Sequence, residues 1–150
     1  MVIYKIAQVI SITNSLNSNI KGFNYVPIFW IASEDHDFEE ISEVNLKENK
    51  IKWNLDSKNL PVGEIELNNF MEVVSGYKNS IIDFEFKDKL EILIDEAYKK
   101  GDTLSAATIK FINSLFGKHG LVIVDSNRKA IKKSFIENFK NEILDSRLSL

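Results

Sequence analysis

Two short apolar runs constrain the fold of this chain more than any other feature. The first covers residues 25–31 (YVPIFWI), and the second covers residues 121–125 (LVIVD), far along the chain. Neither run alternates apolar and polar residues, which is the pattern of a strand buried on both faces of a parallel sheet. Because helical patterns separate the runs, the sequence predicts an α/β fold in which the two strands pair in parallel.

Four segments have the apolar spacing of helices that cover such a sheet. They are residues 2–17, residues 87–100, residues 103–117 after an Asp102 or Thr103 cap, and a final helix that Ser126 or Asn127 caps. The final helix is expected to place Ile131, Phe135, Phe139 and Ile143 inside.

The middle of the chain interrupts this rhythm of strands and helices. Residues 44–47 and 51–55 alternate like a hairpin, with a three-residue loop in which Asn49 takes the left-handed position. A third short strand is predicted within residues 62–67, and a helix after Asn68 is expected to break near Gly76.

Composition excludes several classes of function. The chain has 150 residues, 19 basic and 22 acidic side chains and no cysteine. The balance disfavours nucleic acid or an anionic membrane as a partner, and the lack of cysteine excludes disulfides and zinc–thiolate sites. No stretch approaches the roughly 20 apolar residues that cross a bilayer. We therefore expect a cytoplasmic protein that binds neither nucleic acid nor membranes.

Polar side chains follow both predicted strands, where ligands gather in parallel sheets. The first group, residues 33–40 (SEDHDFEE), holds five carboxylates and one imidazole, and Asp125, Ser126 and Asn127 follow the second strand. Asp35, His36 and Asp37 could bind a metal, use His36 as a base, or hold a cationic amine. The alternative interpretation is a solvated first turn of a helix, which carboxylates stabilise. No glycine-rich phosphate loop and no nucleophile elbow accompanies these residues.

The chain resembles the bacillithiol biosynthesis cysteine-adding enzymes. The resemblance rests on residues 23–41 (FNYVPIFWIASEDHDFEEI), 61–63 (PVG), 102–108 (DTLSAAT) and 115–125 (LFGKHGLVIVD), and it covers nearly the whole chain. It implies an incomplete Rossmann-like parallel sheet, similar to class I nucleotidyltransferases, with a β-hairpin insertion. Residues 1–150 would then be a partial core, with about 43–82 as a connecting-peptide-like insertion.

The resemblance also implies an activity and its site. Family members are implicated in adding cysteine to glucosaminyl-malate, so cysteine and glucosaminyl-malate are the expected small-molecule substrates. Carboxyl activation would need ATP or another adenine nucleotide. We predict Asp35, His36 and Asp37 as catalytic residues, with no metal. The expected substrate-binding residues are Ser33, Glu34, Asp125 and Ser126.

Family members are longer than this chain. They carry an upstream block that runs into Thr-Gly-Pro-Leu-Tyr and a later coiled coil, so the chain is expected to be an internal fragment that is inactive alone. Two alternatives stay open: a non-catalytic interaction domain, with homo-oligomers as an option, and a metal-dependent hydrolase that uses the acidic turn.

Overall fold

The computed structural model of the chain describes residues 2–46, 49–55, 60–80 and 85–144. The helices in these ranges are α1 (Val2–Asn19), α2 (Phe38–Ile41), α3 (Phe70–Ser80), α4 (Lys87–Ala97), α5 (Leu104–Phe116), α6 (Lys129–Ser134) and α7 (Ile136–Leu144), and the strands are β1 (Ile28–Ile31), β2 (Glu43–Leu46), β3 (Asn49–Lys52) and β4 (Val122–Asp125).

The two apolar runs pair in parallel, as the sequence predicts. Strand β1 lies beside β4, with Ile28 opposite Val122 and Ile31 opposite Asp125. Pro27 precedes β1, where its missing N–H costs no hydrogen bond of the sheet. The chain is thus an α/β fold, and the pairing brings the residues after Ile31 beside the residues after Asp125.

The prediction that this sheet is buried on both faces is wrong. Helices α1 and α5 cover the face that carries Phe29 and Ile123, through a core cluster that includes Ile6, Ile10 and Ile112. On the other face Ile28 is 55% exposed and Trp30 is 48% exposed. Phe135 contacts Trp30 on this second face, but Ile28 and Trp30 both remain about half-exposed.

Helix α5 forms as predicted, and its start is held by both its cap and its neighbours. The Thr103 hydroxyl accepts a hydrogen bond from the Ala106 N–H at 3.3 Å, which satisfies one free donor of the first turn. The Leu104 N–H also donates to the Ile65 carbonyl at 2.8 Å. The first turn of α5 is therefore fixed against the preceding segment.

The hairpin forms, but its register differs from the predicted one. Leu46 pairs with Asn49, so Asn49 belongs to β3 and the connection is shorter than the predicted three-residue loop. The connection, residues 47–48, lies outside the described residues. Cross-strand pairing of Val44 with Ile51 sets this register through side-chain contacts that the loop sequence alone does not encode.

The segment between the hairpin and α4 was predicted less well. Residues 62–67 contain a short 3-10 helix (Val62–Glu64) and one isolated bridge between Glu66 and Thr103 instead of a strand. Helix α3 continues through Gly76, because Gly76 packs against the Ile51 side chain of β3. Ile65 and Leu67 of this segment pack with Phe38 of α2, with Trp53 and with Ala107 of α5 in a second core.

The final helix is divided into α6 and α7, and its apolar side is not the predicted interior. Phe139 is 58% exposed and Ile143 is 80% exposed. Phe135 makes an edge-to-face contact with Trp30, with ring centroids 6.3 Å apart. Arg128 is the N-cap of α6 without a side-chain cap bond, because Ser126 and Asn127 serve the end of β4 instead. Within the described residues, no helix is long and apolar enough to cross a membrane.

Candidate functional site

Ser33 begins the acidic turn and lies at the centre of a polar cluster at the ends of β1 and β4. The Ser33 side chain is 2% exposed. Its hydroxyl donates to Asp125 Oδ1 and accepts from the Asn127 N–H at 3.2 Å. These bonds join the residue that follows one strand to the end of the other, as parallel pairing predicts.

Asp125 accepts donors at both carboxylate oxygens. Oδ1 accepts from Ser33 and from the Asn127 N–H, the latter at 3.3 Å. Oδ2 accepts from the Ser105 hydroxyl at 2.9 Å, and the Arg128 guanidinium lies 3.6 Å away. A carboxylate with this many donors is held in the ionised form.

The pKa of Asp125 follows from these contacts. Burial raises the pKa of this carboxyl, but the hydrogen bonds from Ser33, Ser105 and Asn127, together with the Arg128 charge, lower it below its ordinary value. A lowered pKa stabilises the fold at pH values above the ordinary pKa of aspartate. That contribution is lost as the pH falls through the pKa of the folded state.

Glu34 and Ser126 complete the cluster on its outer side. The Ser126 hydroxyl lies within hydrogen-bonding reach of the Ile31 carbonyl, at 2.6 Å, and of Glu34 Oε2. Among the described residues, no donor is bonded to the second oxygen of Glu34, Oε1. Asn127 extends the cluster by donating to Glu64 Oε1 at 2.6 Å. All four predicted substrate-binding residues therefore meet in one network.

The three predicted catalytic residues lie outside this network, on the exposed part of the turn. Asp35 Oδ1 accepts from the N–H groups of His36, at 2.7 Å, and Asp37, at 3.2 Å. Asp37 caps α2 by accepting from the Glu40 N–H. The carboxylates of Asp35 and Asp37 thus shape the turn that presents His36.

His36 and Asp37 line an open groove of about 1290 Å³ between the turn and the hairpin. Three carboxylates, from Asp37, Glu39 and Glu43, and one ammonium, from Lys52, border the groove, so its lining carries a net negative charge. A groove with this charge favours a cationic group such as an ammonium. Among the residues that have been placed, no three His, Cys, Asp or Glu side chains are grouped to hold a metal ion.

Gly63 and Ser105 contact the cluster and were not predicted from the sequence. The Gly63 N–H donates to the Ser33 carbonyl at 3.0 Å, and a Cβ at Gly63 would lie 2.8 Å from that oxygen and would overlap the Ser33 side chain. Both residues come from segments distant in sequence. The signals available were the Pro-Val-Gly tripeptide and a serine two residues after the Thr103 cap, and neither indicates its tertiary partner.

Replacing Gly63 with alanine is expected to destabilise the fold by about 1–3 kcal/mol, because the added methyl overpacks the buried Ser33. The matched control is Gly76→Ala, whose Cβ would lie 3.6 Å from the Ile51 side chain in ordinary contact. That change is expected to stabilise α3 by about 0.5–1 kcal/mol. Urea unfolding of both variants measures the difference, and equal stabilities would contradict the close approach of Gly63 to Ser33.

Comparison with known proteins agrees with the α/β fold. Residues 1–149 match the family described as bacillithiol biosynthesis BshC, N-terminal Rossmann-like domain. A Flavobacterium johnsoniae relative, named "Putative cysteine ligase BshC", is 38% identical over 141 residues, which are 94% of this chain and 26% of the relative. A relative of the same name from Christiangramia forsetii is 39% identical over an alignment of 146 residues that covers 95% of this chain and 27% of the relative.

A more distant relative, from Bacillus cereus and of the same name, is 30% identical over an alignment of 152 residues that covers 94% of this chain and 27% of that protein. The chain therefore spans about a quarter of the length of the curated relatives that it matches. Neither alternative from the sequence, an interaction domain or a metal-dependent hydrolase, gains support from these matches.

Proposed function

Because this chain belongs to the BshC family, within its N-terminal Rossmann-like domain, we propose that it is part of a cysteine ligase of bacillithiol biosynthesis. The C–N bond would form between the activated carboxyl carbon of cysteine and the amine nitrogen of glucosaminyl-malate, while the C–O bond to the activating group and an N–H bond of the amine break. The observation that carries the proposal is the cluster of Ser33, Glu34, Asp125 and Ser126 at the ends of the two parallel strands. Ligands of α/β sheets bind at this edge.

Glu34 is the proposed contact for the amine. One of its oxygens is next to Ser126, and the other is available to a donor. A carboxylate attracts an ammonium group before the reaction and accepts a charge-assisted hydrogen bond from it. Glu34 is half-buried, so this bond is less screened by water than one on an open surface.

Ser33, Asp125 and Ser126 are proposed to hold Glu34 in place. Both oxygens of Asp125 already accept donors from the protein, so this carboxylate is poorly suited to take a proton from a substrate. Its role is to fix Ser33 and the start of the turn. Ser126 then orients the Glu34 carboxylate.

His36 is the proposed acceptor of the proton that the ammonium loses to become a nucleophilic amine, and the second proton passes from the nitrogen to solvent once the C–N bond has formed. Its backbone is fixed by the hydrogen bond from its N–H to Asp35, and its side chain borders the acidic groove. Asp35 and Asp37 hold the turn through their hydrogen bonds to backbone N–H groups. Their part in catalysis stays a proposal, as does the assignment of residues 43–82 to an insertion.

Amide formation from a carboxylate requires an activated carboxyl group, which a nucleotide supplies in many ligases. The residues at the strand ends do not fit nucleotide phosphates, because Glu34, Glu64 and Asp125 place three carboxylates there. The hydroxyls of the cluster are also engaged with these carboxylates. We therefore assign no nucleotide contact to this cluster.

A chimera tests the proposed function. This chain replaces the matching 141-residue segment of the Flavobacterium johnsoniae relative, in a strain that lacks its own gene for that protein. Mass spectrometry of labelled cell thiols then measures bacillithiol. We expect the chimera to restore bacillithiol. A chimera that is as abundant and as folded as the intact relative, yet yields none, would contradict the proposal.

A further inference from the structure

Ser105 makes the contact that best accounts for the position of Asp125. It lies in the first turn of α5, is 7% exposed, and donates to Asp125 Oδ2 at 2.9 Å. The first turn of α5 is itself fixed, by the Thr103 cap and by the bond from the Leu104 N–H to Ile65. The Ser105 hydroxyl is therefore held next to Asp125 by the fold of α5 itself.

We propose that Ser105 is a positioning residue, which through its hydrogen bond to Asp125 holds that carboxylate against Ser33 and so sets the direction of Glu34. The role of Glu34 in this inference rests on the proposed function. The hydrogen-bond path itself depends only on the geometry of the cluster.

The two oxygens of Asp125 accept hydrogen bonds from different parts of the chain. Ser105 bonds Oδ2 from α5, whereas Ser33 and the Asn127 N–H bond Oδ1 from the turn and from the residues after β4. Rotation of the carboxylate would break both sets together. Without Ser105, the one partner of Oδ2 among the described residues is the Arg128 guanidinium, which is more distant at 3.6 Å and whose side chain is 67% exposed.

Ser33 connects the Asp125 carboxylate to the turn that follows β1. It donates to Asp125 through its hydroxyl, and its carbonyl accepts from Gly63. Glu34 follows directly and is held from the other side by Ser126. A change in the Asp125 rotamer is therefore expected to displace the Glu34 carboxylate, because Ser33 is buried and is bonded to Asp125 and to Gly63.

The other charged groups near Asp125 are few. Glu34 shares Ser126 with the cluster, whereas Glu64 and Lys132 both bond the side chain of Asn127. Arg128 is the cation nearest to the carboxylate. Replacing Ser105 with alanine changes none of these charges, so a shift in the titration of Asp125 reports the lost hydrogen bond.

Carbon-13 NMR titration of the Asp125 carboxyl in the full chain provides the test. We expect Ser105→Ala to raise the pKa of Asp125, and Ser105→Thr, which keeps a hydroxyl, to leave it near the wild-type value. Ser114→Ala is the matched control, since Ser114 lies on the same helix and its hydroxyl donates to the Lys110 carbonyl on the exposed side of that helix. Should Ser105→Ala fail to fold, Ser105→Cys, a weaker donor, gives the same comparison.

An unchanged Asp125 pKa in the folded Ser105 variant would overturn the inference. A second readout is hydrogen exchange at the Asn127 amide, which donates to Ser33 and Asp125 and should exchange faster in Ser105→Ala. Neither readout requires ligase activity. If the chimera makes no bacillithiol but the NMR shift is present, the proposed function fails and the positioning contact stands.

Discussion

Replacing His36 with alanine in the chimera is expected to lower the rate of bacillithiol formation by about 100-fold or more, the usual loss when a general base is removed. His36 is exposed and lies at a turn whose backbone is fixed by Asp35. The substitution therefore removes an imidazole without opening a cavity, and the fold should be retained.

His119 offers the matched control, since it is the only other histidine of the chain. It is exposed in the short 3-10 helix Gly117–His119 that precedes β4. His119→Ala is expected to leave the rate unchanged. Equal rates for the two variants, at equal protein abundance, would remove His36 from the mechanism.

The sequence predicts the main features of the core because they depend on local patterns. Residues 2–17 and 103–117 have helical apolar spacing, and Thr103 is a strong cap, so α1 and α5 form nearly where expected. The two apolar runs pair in parallel because the crossover between them is long and helical. These features need no knowledge of distant contacts.

Features set by tertiary contacts could not be predicted in this way. The apolar run of β1 indicates burial but not which elements supply the cover, and Trp30 remains half-exposed. Gly76 has a low helix propensity, yet its contact with Ile51 keeps it within α3. Asn49 favours a turn, and cross-strand pairing places it in β3 instead.

In the candidate site too, features set by local patterns were predicted and features set by tertiary contacts were not. Glu34 and Asp125 were predicted together because the ends of paired parallel strands share one edge of a sheet. The prediction could not separate Glu34, which turns towards Ser126, from Asp35, which folds back on its own turn. Which way each side chain turns depends on the direction of the backbone at Glu34 and Asp35. Both residues are acidic, so their residue types do not distinguish the two directions.

Substitution of Glu34 tests whether the cluster at the strand ends binds the amine of the substrate. Glu34→Gln preserves the shape of the side chain and removes its charge. Loss of one charge-assisted hydrogen bond corresponds to about 1.5–3 kcal/mol, or roughly a 10- to 150-fold fall in the rate of ligation. Glu40→Gln is the control, because Glu40 is exposed on α2.

The decisive measurement is the rate of bacillithiol formation by purified chimeras carrying Glu34→Gln or Glu40→Gln, at several concentrations of glucosaminyl-malate. We expect a loss for Glu34→Gln that appears mainly as a higher KM for the amine substrate, and no loss for Glu40→Gln. A Glu34→Gln chimera with unchanged KM and unchanged rate would show that the cluster does not bind the amine.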